Sequence, residues 1–366
     1  MEKISKHQLF VLVMMEQIGS TQLWVLGIEA GRDAWLAILF SMLPGCLLIW
    51  VFTELQKNFP EDNITGIISK LLGKIIGYPL ILLFALVDVF NSTRNISEFS
   101  DLLNMTFLQN TPSFMVKVLF LLTILYISSM GIETLARLTE IMLPSVLFFI
   151  ILAYILIIVS GNADFSQLIP IMGNGPGPIL KASYPLIVNF PFGLIFVFMQ
   201  FWHFSTSQKS VRKITFLAVI LSALLLALTQ AIIVSTLGLG VASRATIPIL
   251  EVIKMINIGD FITNLDGLGI ILIFIEGFYM TIIHILSASM ILTSLVKMSD
   301  YRWLTIPISI FILWYSGIYE PNYSFHVQYL LHQAWQQFVP LYNAVPLLLL
   351  IIYWLKKSYM KSNGKR

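Results

Sequence analysis

The chain has 366 residues, 57% of them hydrophobic and 11% charged, with a formal net charge of +3. Soluble domains carry about 25% charged residues, so this composition excludes a water-soluble globule and any enzyme built on a large extramembrane domain. The single Cys46 closes no intramolecular disulfide, and the basic residues flank apolar runs as topology determinants do, rather than forming a nucleic-acid patch.

Ten apolar runs long enough to cross a bilayer are predicted near 9–27, 35–53, 78–103, 114–133, 141–160, 184–204, 214–236, 265–296, 303–318 and 339–355. The basic N-terminus, Met1 to Lys6, leads into apolar sequence too long for a signal-peptide core, so it is read as a retained first span. With both termini inside, 16 Lys and Arg fall in cytoplasmic segments and four (Arg32, Lys181, Arg244, Lys254) outside, as the positive-inside rule requires. Arg94 and Lys117 fall within or at the edge of spans. The predicted unit is a single integral membrane domain with one repeat at about 7–160, a second at about 181–355, and a basic cytoplasmic tail, 356–366.

Three connections are more than turns. Glu61 to Lys74 places Ile64, Ile67, Ile68, Leu71 and Leu72 on one side, as in an interfacial helix. Thr246 to Phe261 repeats the pattern outside, and Glu320 to Gln337 is an aromatic, polar external segment. The Gly173 to Pro178 stretch is a loop without a dinucleotide fingerprint.

The first span carries Glu16, Gln17, Gly19, Ser20 and Thr21 at its middle, and the sixth carries Asn189, Pro191 and Gly193. Irregular backbone at membrane depth is tolerated where it is buried in protein or lines a cavity. Breaks at matching places in two halves point to an inverted five-plus-five repeat with a central site, ordinary kinks being the alternative. Free N–H groups at Gly19, Ser20 and Thr21, at the positive end of a following half-helix, would seat a carboxylate. The Asn189 to Gly193 gap would supply carbonyls and an amide. The favoured ligand is an amino acid, with sugars and nucleosides as alternatives.

In the third span, Asp88, Asn91, Asn95 and Glu98 recur at spacings of 3, 4 and 3 on one helical face. Arg94, four residues before Glu98, is placed to pair with it. A charge at mid-bilayer costs at least about 2.5 kcal/mol unless it faces a cavity or a partner, so the stripe is either a coupling network or a structural polar seam. Glu276 in the eighth span is expected to flank the same cavity as Asp88 or Glu98 from the other side. His203 and His284 fit a hydrogen-bonded packing role better than a proton shuttle. No cofactor, metal site or catalytic motif is indicated.

These features, with Ala30-Gly31-Arg32-Asp33-Ala34-Trp35, Gly131-Ile132-Glu133 with Ala136-Arg137 and Pro144, and Phe190-Pro191-Phe192-Gly193, carry a resemblance. Further matching segments are Pro248 with Leu250-Glu251, Ile258-Gly259-Asp260-Phe261 and Leu265-Asp266. Over nearly its full length the chain resembles the B-subunit family of spore germinant receptors, within the amino acid-polyamine-organocation (APC) transporter superfamily. The resemblance implies a ten-helix core of the leucine-transporter type with helices one and six unwound. It further implies a germinant-sensing subunit in the spore inner membrane or cell membrane, assembled with a receptor A subunit and a C-subunit lipoprotein. The chain departs from the family at Leu194, where an acid often follows the Phe-Pro-Phe-Gly pattern, near Leu26, where a proline is frequent, and at Asn264, where an Arg is common. The competing expectation is a proton- or sodium-coupled amino acid secondary transporter.

Overall fold

The computed structural model describes residues 2–256, 265–319 and 339–363. The predicted segment from Glu320 to Gln337, the Ile258 to Phe261 motif and Asn264 lie outside them. Helix α1 (Lys6–Ile18) starts on a capping box, in which the Ser5 hydroxyl accepts from Gln8 N–H and the Gln8 side chain accepts from Ser5 N–H. It stops at Gly19, whose backbone leaves the helical region, and two short 3-10 turns, Ser20–Leu23 and Ile28–Asp33, carry the chain into α2 (Ala34–Asn58). Every residue of α1 from Val11 to Ile18 is buried. A helix hydrophobic on all sides belongs at the centre of a bundle, and α1 packs there against helices of both halves.

Helix α3 (Ile64–Thr106) begins on an Asn63 cap and is interrupted at Gly73, where φ is +70°. Only glycine takes that conformation cheaply, so the chain turns from the interfacial segment, with Ile64, Ile67, Ile68 and Leu71 buried, into the third span. Helices α4 (Ser113–Met130) and α5 (Ile132–Val159) come next. The fifth span thus starts well before the apolar run at 141, because Glu133, Arg137 and Glu140 lower hydropathy without breaking a helix.

The sixth span is more irregular than expected. After α6 (Pro176–Ala182), Tyr184 is extended, a wide turn covers Ser183–Ile187, and beyond Pro191 the chain continues as 3-10 turns at Phe192–Gln200 and Trp202–Phe204. Pro185 and Pro191 each remove a backbone donor, which rules out an uninterrupted helix. Helices α7 (Val211–Ala242), α8 (Pro248–Lys254), α9 (Asp266–Val296), α10 (Arg302–Tyr319) and α11 (Val345–Asn363) complete the described chain. Seven helical stretches among the described residues are long and apolar enough to cross a membrane. The broken first segment, α10 and α11 lie on the three remaining apolar runs.

The longest seam joins α3 to α9. At its crossing a Cβ on Gly277 would lie 1.9 Å from the Phe99 ring, so the helices meet where one has no side chain. Outer helices present Leu119, Leu122, Ile310 and Trp314 outward, where lipid replaces protein as the apolar neighbour.

Contacts between connections sort the bundle into two faces. On one, Ile4 pairs with Ser205 as a parallel bridge, with Ile4 N–H donating to Phe204 O at 3.0 Å and Thr206 N–H to Ile4 O at 2.9 Å. Glu2 meets Arg302 at 3.4 Å, Arg212 binds Glu54, and Lys356 donates to Leu71 O at 2.7 Å. On the other, Arg32 donates to Ile169 O, and Met172 N–H donates to Asp33 at 3.0 Å. The described ends of the chain therefore share one face.

Candidate ligand and proton site at the broken spans

The last turn of α1 places Glu16 and Gln17, both wholly buried, just before the break, and Pro191 ends the regular part of the sixth span opposite them. Gln17 Nε2 donates to the Pro191 carbonyl at 2.7 Å. One broken span thus caps the other, adding a side-chain donor to a carbonyl that also accepts from Leu194 N–H at 3.2 Å. Asn189 Nδ2 donates back to Pro185 O at 2.6 Å. That leaves Gln17 Oε1 and Asn189 Oδ1 buried with no hydrogen-bond partner among the described residues. Gly193 lies where the sixth and tenth spans close on each other: its Cβ would fall 3.4 Å from Asn189 Oδ1 and 3.6 Å from Tyr342 Cβ.

The donor expected at Gly19 is already used. Gly19 N–H closes α1 on Met15 O at 3.0 Å, because the hydrogen-bond ladder continues through the helix cap. The four-residue turn that starts at Ser20 is too short to act as a half-helix with a positive end, and the Thr21 hydroxyl turns back to Ile18 O at 2.6 Å. A side chain at Gly19 would press on Met280, 3.1 Å from the Cβ position.

The α3 stripe is buried along its whole length, from Asp88 through Asn91 and Asn95 to Glu98. Asn91 Nδ2 donates to the Tyr342 hydroxyl at 3.2 Å, linking α3 to the tenth span. Arg94, 2% exposed, donates to Asn95 Oδ1 at 3.1 Å and places its guanidinium 5.3 Å over the Phe190 ring, beside the break in the sixth span. Lys117, at the margin of its span by sequence, is buried and donates to Ser97 Oγ at 3.2 Å and Ser316 O at 3.1 Å.

Among the described residues, Glu276 and Asp88 border two different spaces. Glu276 lines a space of about 30 Å³ with Tyr154, Ile249 and Ile253. The group facing Asp88 across the α3–α9 seam is instead His284, eight residues further on, about 12 Å along the helix and about 80° around it. His284 Nδ1 lies 2.8 Å from Asp88 Oδ1, and Nε2 lies 3.2 Å from Glu16 Oε1 at ion-pair distance rather than in an aligned hydrogen bond. Asp88 and His284 also border a cavity of about 10 Å³, roughly one water, reaching Gln200, Ser287 and Ile64. His284, Tyr342 and Tyr279, whose hydroxyl donates to Leu12 O at 2.9 Å, are not among the site residues expected from the sequence. The signal in the sequence for His284 is its position inside an apolar span among small polar neighbours Thr281, Ser287 and Ser289.

A family model described as "Spore germination protein" matches residues 3–324. The chain is 28% identical over 370 residues to spore germination protein KB of Bacillus subtilis (strain 168), covering 99% of this chain and 98% of that protein. It is 26% identical over 242 residues to spore germination protein XB of Bacillus anthracis, covering 66% of each. Among solved structures it superposes on Mhp1, a nucleobase-cation-symport-1 family transporter in a closed conformation with bromovinylhydantoin bound, with TM-score 0.65 at 15% identity over 89% of this chain and 74% of that one. It also superposes on MhsT in complex with L-phenylalanine, with TM-score 0.60 at 15% identity, covering 86% of this chain and 79% of that one. The fold is accordingly that of the leucine-transporter type.

Proposed function

From the premise that the chain belongs to the spore germination protein family, we propose that it is the integral membrane subunit of a germinant receptor that binds a small nutrient, an amino acid, between the broken first and sixth spans. The observation that carries this reading is the pair of buried acceptors without a partner among the described residues, Gln17 Oε1 and Asn189 Oδ1, on either side of the Gln17–Pro191 bridge. Leaving such atoms unsatisfied costs about 1–3 kcal/mol each, and an ammonium group, a donor on all sides, would recover that. Arg94, over Phe190, supplies a cation for the ligand carboxylate, the role expected from the sequence of the N–H groups beginning at Gly19. Ser20 and Thr21 remain part of the proposed site as the turn that shapes it. MhsT, of the same fold, holds L-phenylalanine.

In this reading the ligand favours one of two arrangements of the bundle, and only its differential affinity for them can carry a signal. The partners that read the change are a receptor A subunit and a C-subunit lipoprotein. The face bearing both ends of the chain is cytoplasmic, the membrane is the spore inner membrane or the cell membrane, and the halves at about 7–160 and 181–355 act as inverted repeats. A second reading, a proton- or sodium-coupled amino acid transporter, draws on the likeness to Mhp1, itself a transporter.

A thermal-shift screen of the purified protein against amino acids, sugars and nucleosides tests the ligand class. Stabilisation by amino acids alone is the expected result, and stabilisation by sugars or nucleosides but no amino acid overturns it. Uptake of the stabilising amino acid by proteoliposomes would favour the transporter; binding without uptake favours the receptor.

A further inference from the structure

The imidazole of His284 has a carboxylate at each of its two nitrogens, Asp88 from α3 at Nδ1 and Glu16 from α1 at Nε2. A neutral imidazole carries one N–H. If that proton serves the 2.8 Å contact to Asp88, the unprotonated Nε2 lies 3.2 Å from a carboxylate oxygen, which is repulsive; if it serves Glu16, the repulsion moves to Asp88. Both contacts are favourable only when one further proton is present in the group. The carboxylates lie on opposite ring nitrogens, so their oxygens do not converge with a ring nitrogen on a single cation.

We propose that Glu16, Asp88 and His284 form a proton-binding clamp, in which His284 is held as an imidazolium between two carboxylates and fastens α1 to the α3–α9 seam. The surrounding charges are compatible with that state. Arg94 on α3 lies close enough to act on both Glu16 and Tyr342, Tyr279 on α9 faces Glu16, and Tyr342 from the tenth span faces Asp88. Glu276 on α9 lines the other cavity. With the imidazolium present, Glu16, Asp88, His284 and Arg94 balance to zero net charge. Loss of the proton leaves an uncompensated negative charge at membrane depth and one repulsive contact, which is relieved by moving α1 away. The small cavity bordered by Asp88, His284 and Ile64 has room for about one water to take up the proton.

The step is a proton transfer only. The proton leaves a ring nitrogen for water, the ring keeps its electron pair, and both carboxylates stay unchanged. Because Glu16 precedes Gln17, whose amide holds Pro191, releasing the clamp would loosen the ligand site as well; that link rests on the ligand reading, whereas the clamp itself does not.

The chain has five histidines, few enough for the ring nitrogens of ¹⁵N-histidine-labelled protein in lipid nanodiscs to be resolved by NMR. His284 is assigned with His284→Gln or, should that protein fail to insert, by removing the other histidines one at a time. The spectra are read at about pH 8, above the ordinary histidine range. His284 is expected still to show two protonated ring nitrogens there, and to show one in Glu16→Gln/Asp88→Asn protein. A His284 that is neutral at that pH in the unaltered protein overturns the clamp, and so does an imidazolium that persists undiminished when both carboxylates are removed. A failed amino acid screen would leave this result untouched, and a neutral His284 would leave amino acid binding untouched.

Discussion

Gln17 illustrates how one side chain joins two interruptions that are 174 residues apart. Replacing it with methionine, close in volume but unable to donate, leaves the buried Pro191 carbonyl with only the 3.2 Å bond from Leu194 N–H. The expected loss is about 0.5–1.5 kcal/mol of stability, read as a lowered thermal midpoint in nanodiscs, together with about a tenfold weakening of amino acid binding, since a tenfold change corresponds to about 1.4 kcal/mol. Unchanged binding in a correctly inserted Gln17→Met protein would remove the bridge from the site. Gln17 and Pro191 were legible in the sequence because polar and helix-breaking residues in mid-span are costly unless used. Their pairing was not, nor was the bridging by His284, because which face of α9 meets Asp88 depends on helix rotation and stagger set by packing. Gly19 shows the reverse: its position at a break was legible, while the fate of its N–H depended on where the α1 ladder stopped.

At the scale of helices, hydropathy located the membrane-embedded portions well and the helix ends poorly. The eighth span, read as 265–296, is α9 at Asp266–Val296, since apolar sequence fills the helix from end to end. The fifth begins at Ile132 rather than near 141, because its first turns are polar yet helical. The α3–α9 seam gives a sharper test. A methyl group at Gly277 would fall within 1.9 Å of Phe99, so Gly277→Ala should destabilise the protein by about 1–3 kcal/mol through overpacking. Combining it with Phe99→Leu, which withdraws the ring edge, should restore more than half of that loss in the thermal midpoint. Equal destabilisation by the single and double variants would mean that the two helices do not meet there in the membrane.

For the whole molecule, the contacts that gather Glu2, Ile4, Arg302, Ser205 and Lys356 on one face, and Arg32, Asp33, Ile169 and Met172 on the other, turn the charge asymmetry into a test of orientation. In a Cys46→Ser background, a cysteine introduced at exposed Ser166 should react with a membrane-impermeant maleimide added outside sealed cells. One introduced at exposed Ser358 should react only after permeabilisation. The opposite labelling pattern would invert the topology. The two-face arrangement was legible from basic residues alone because they resist translocation; the parallel pairing of Ile4 with Ser205 was not, since it is backbone-mediated and leaves no side-chain signature.

The pairing of Asp88 with His284 also sets an order of events during biosynthesis. The two residues are 196 positions apart, and at roughly 5–20 residues per second about 10–40 s separate their emergence from the ribosome. Glu16 and Asp88 therefore enter the bilayer long before the imidazole they will face. During that interval water or helices already inserted must shelter them, and Asp88→Asn should make insertion of the first five spans easier even as it deprives the finished protein of its clamp.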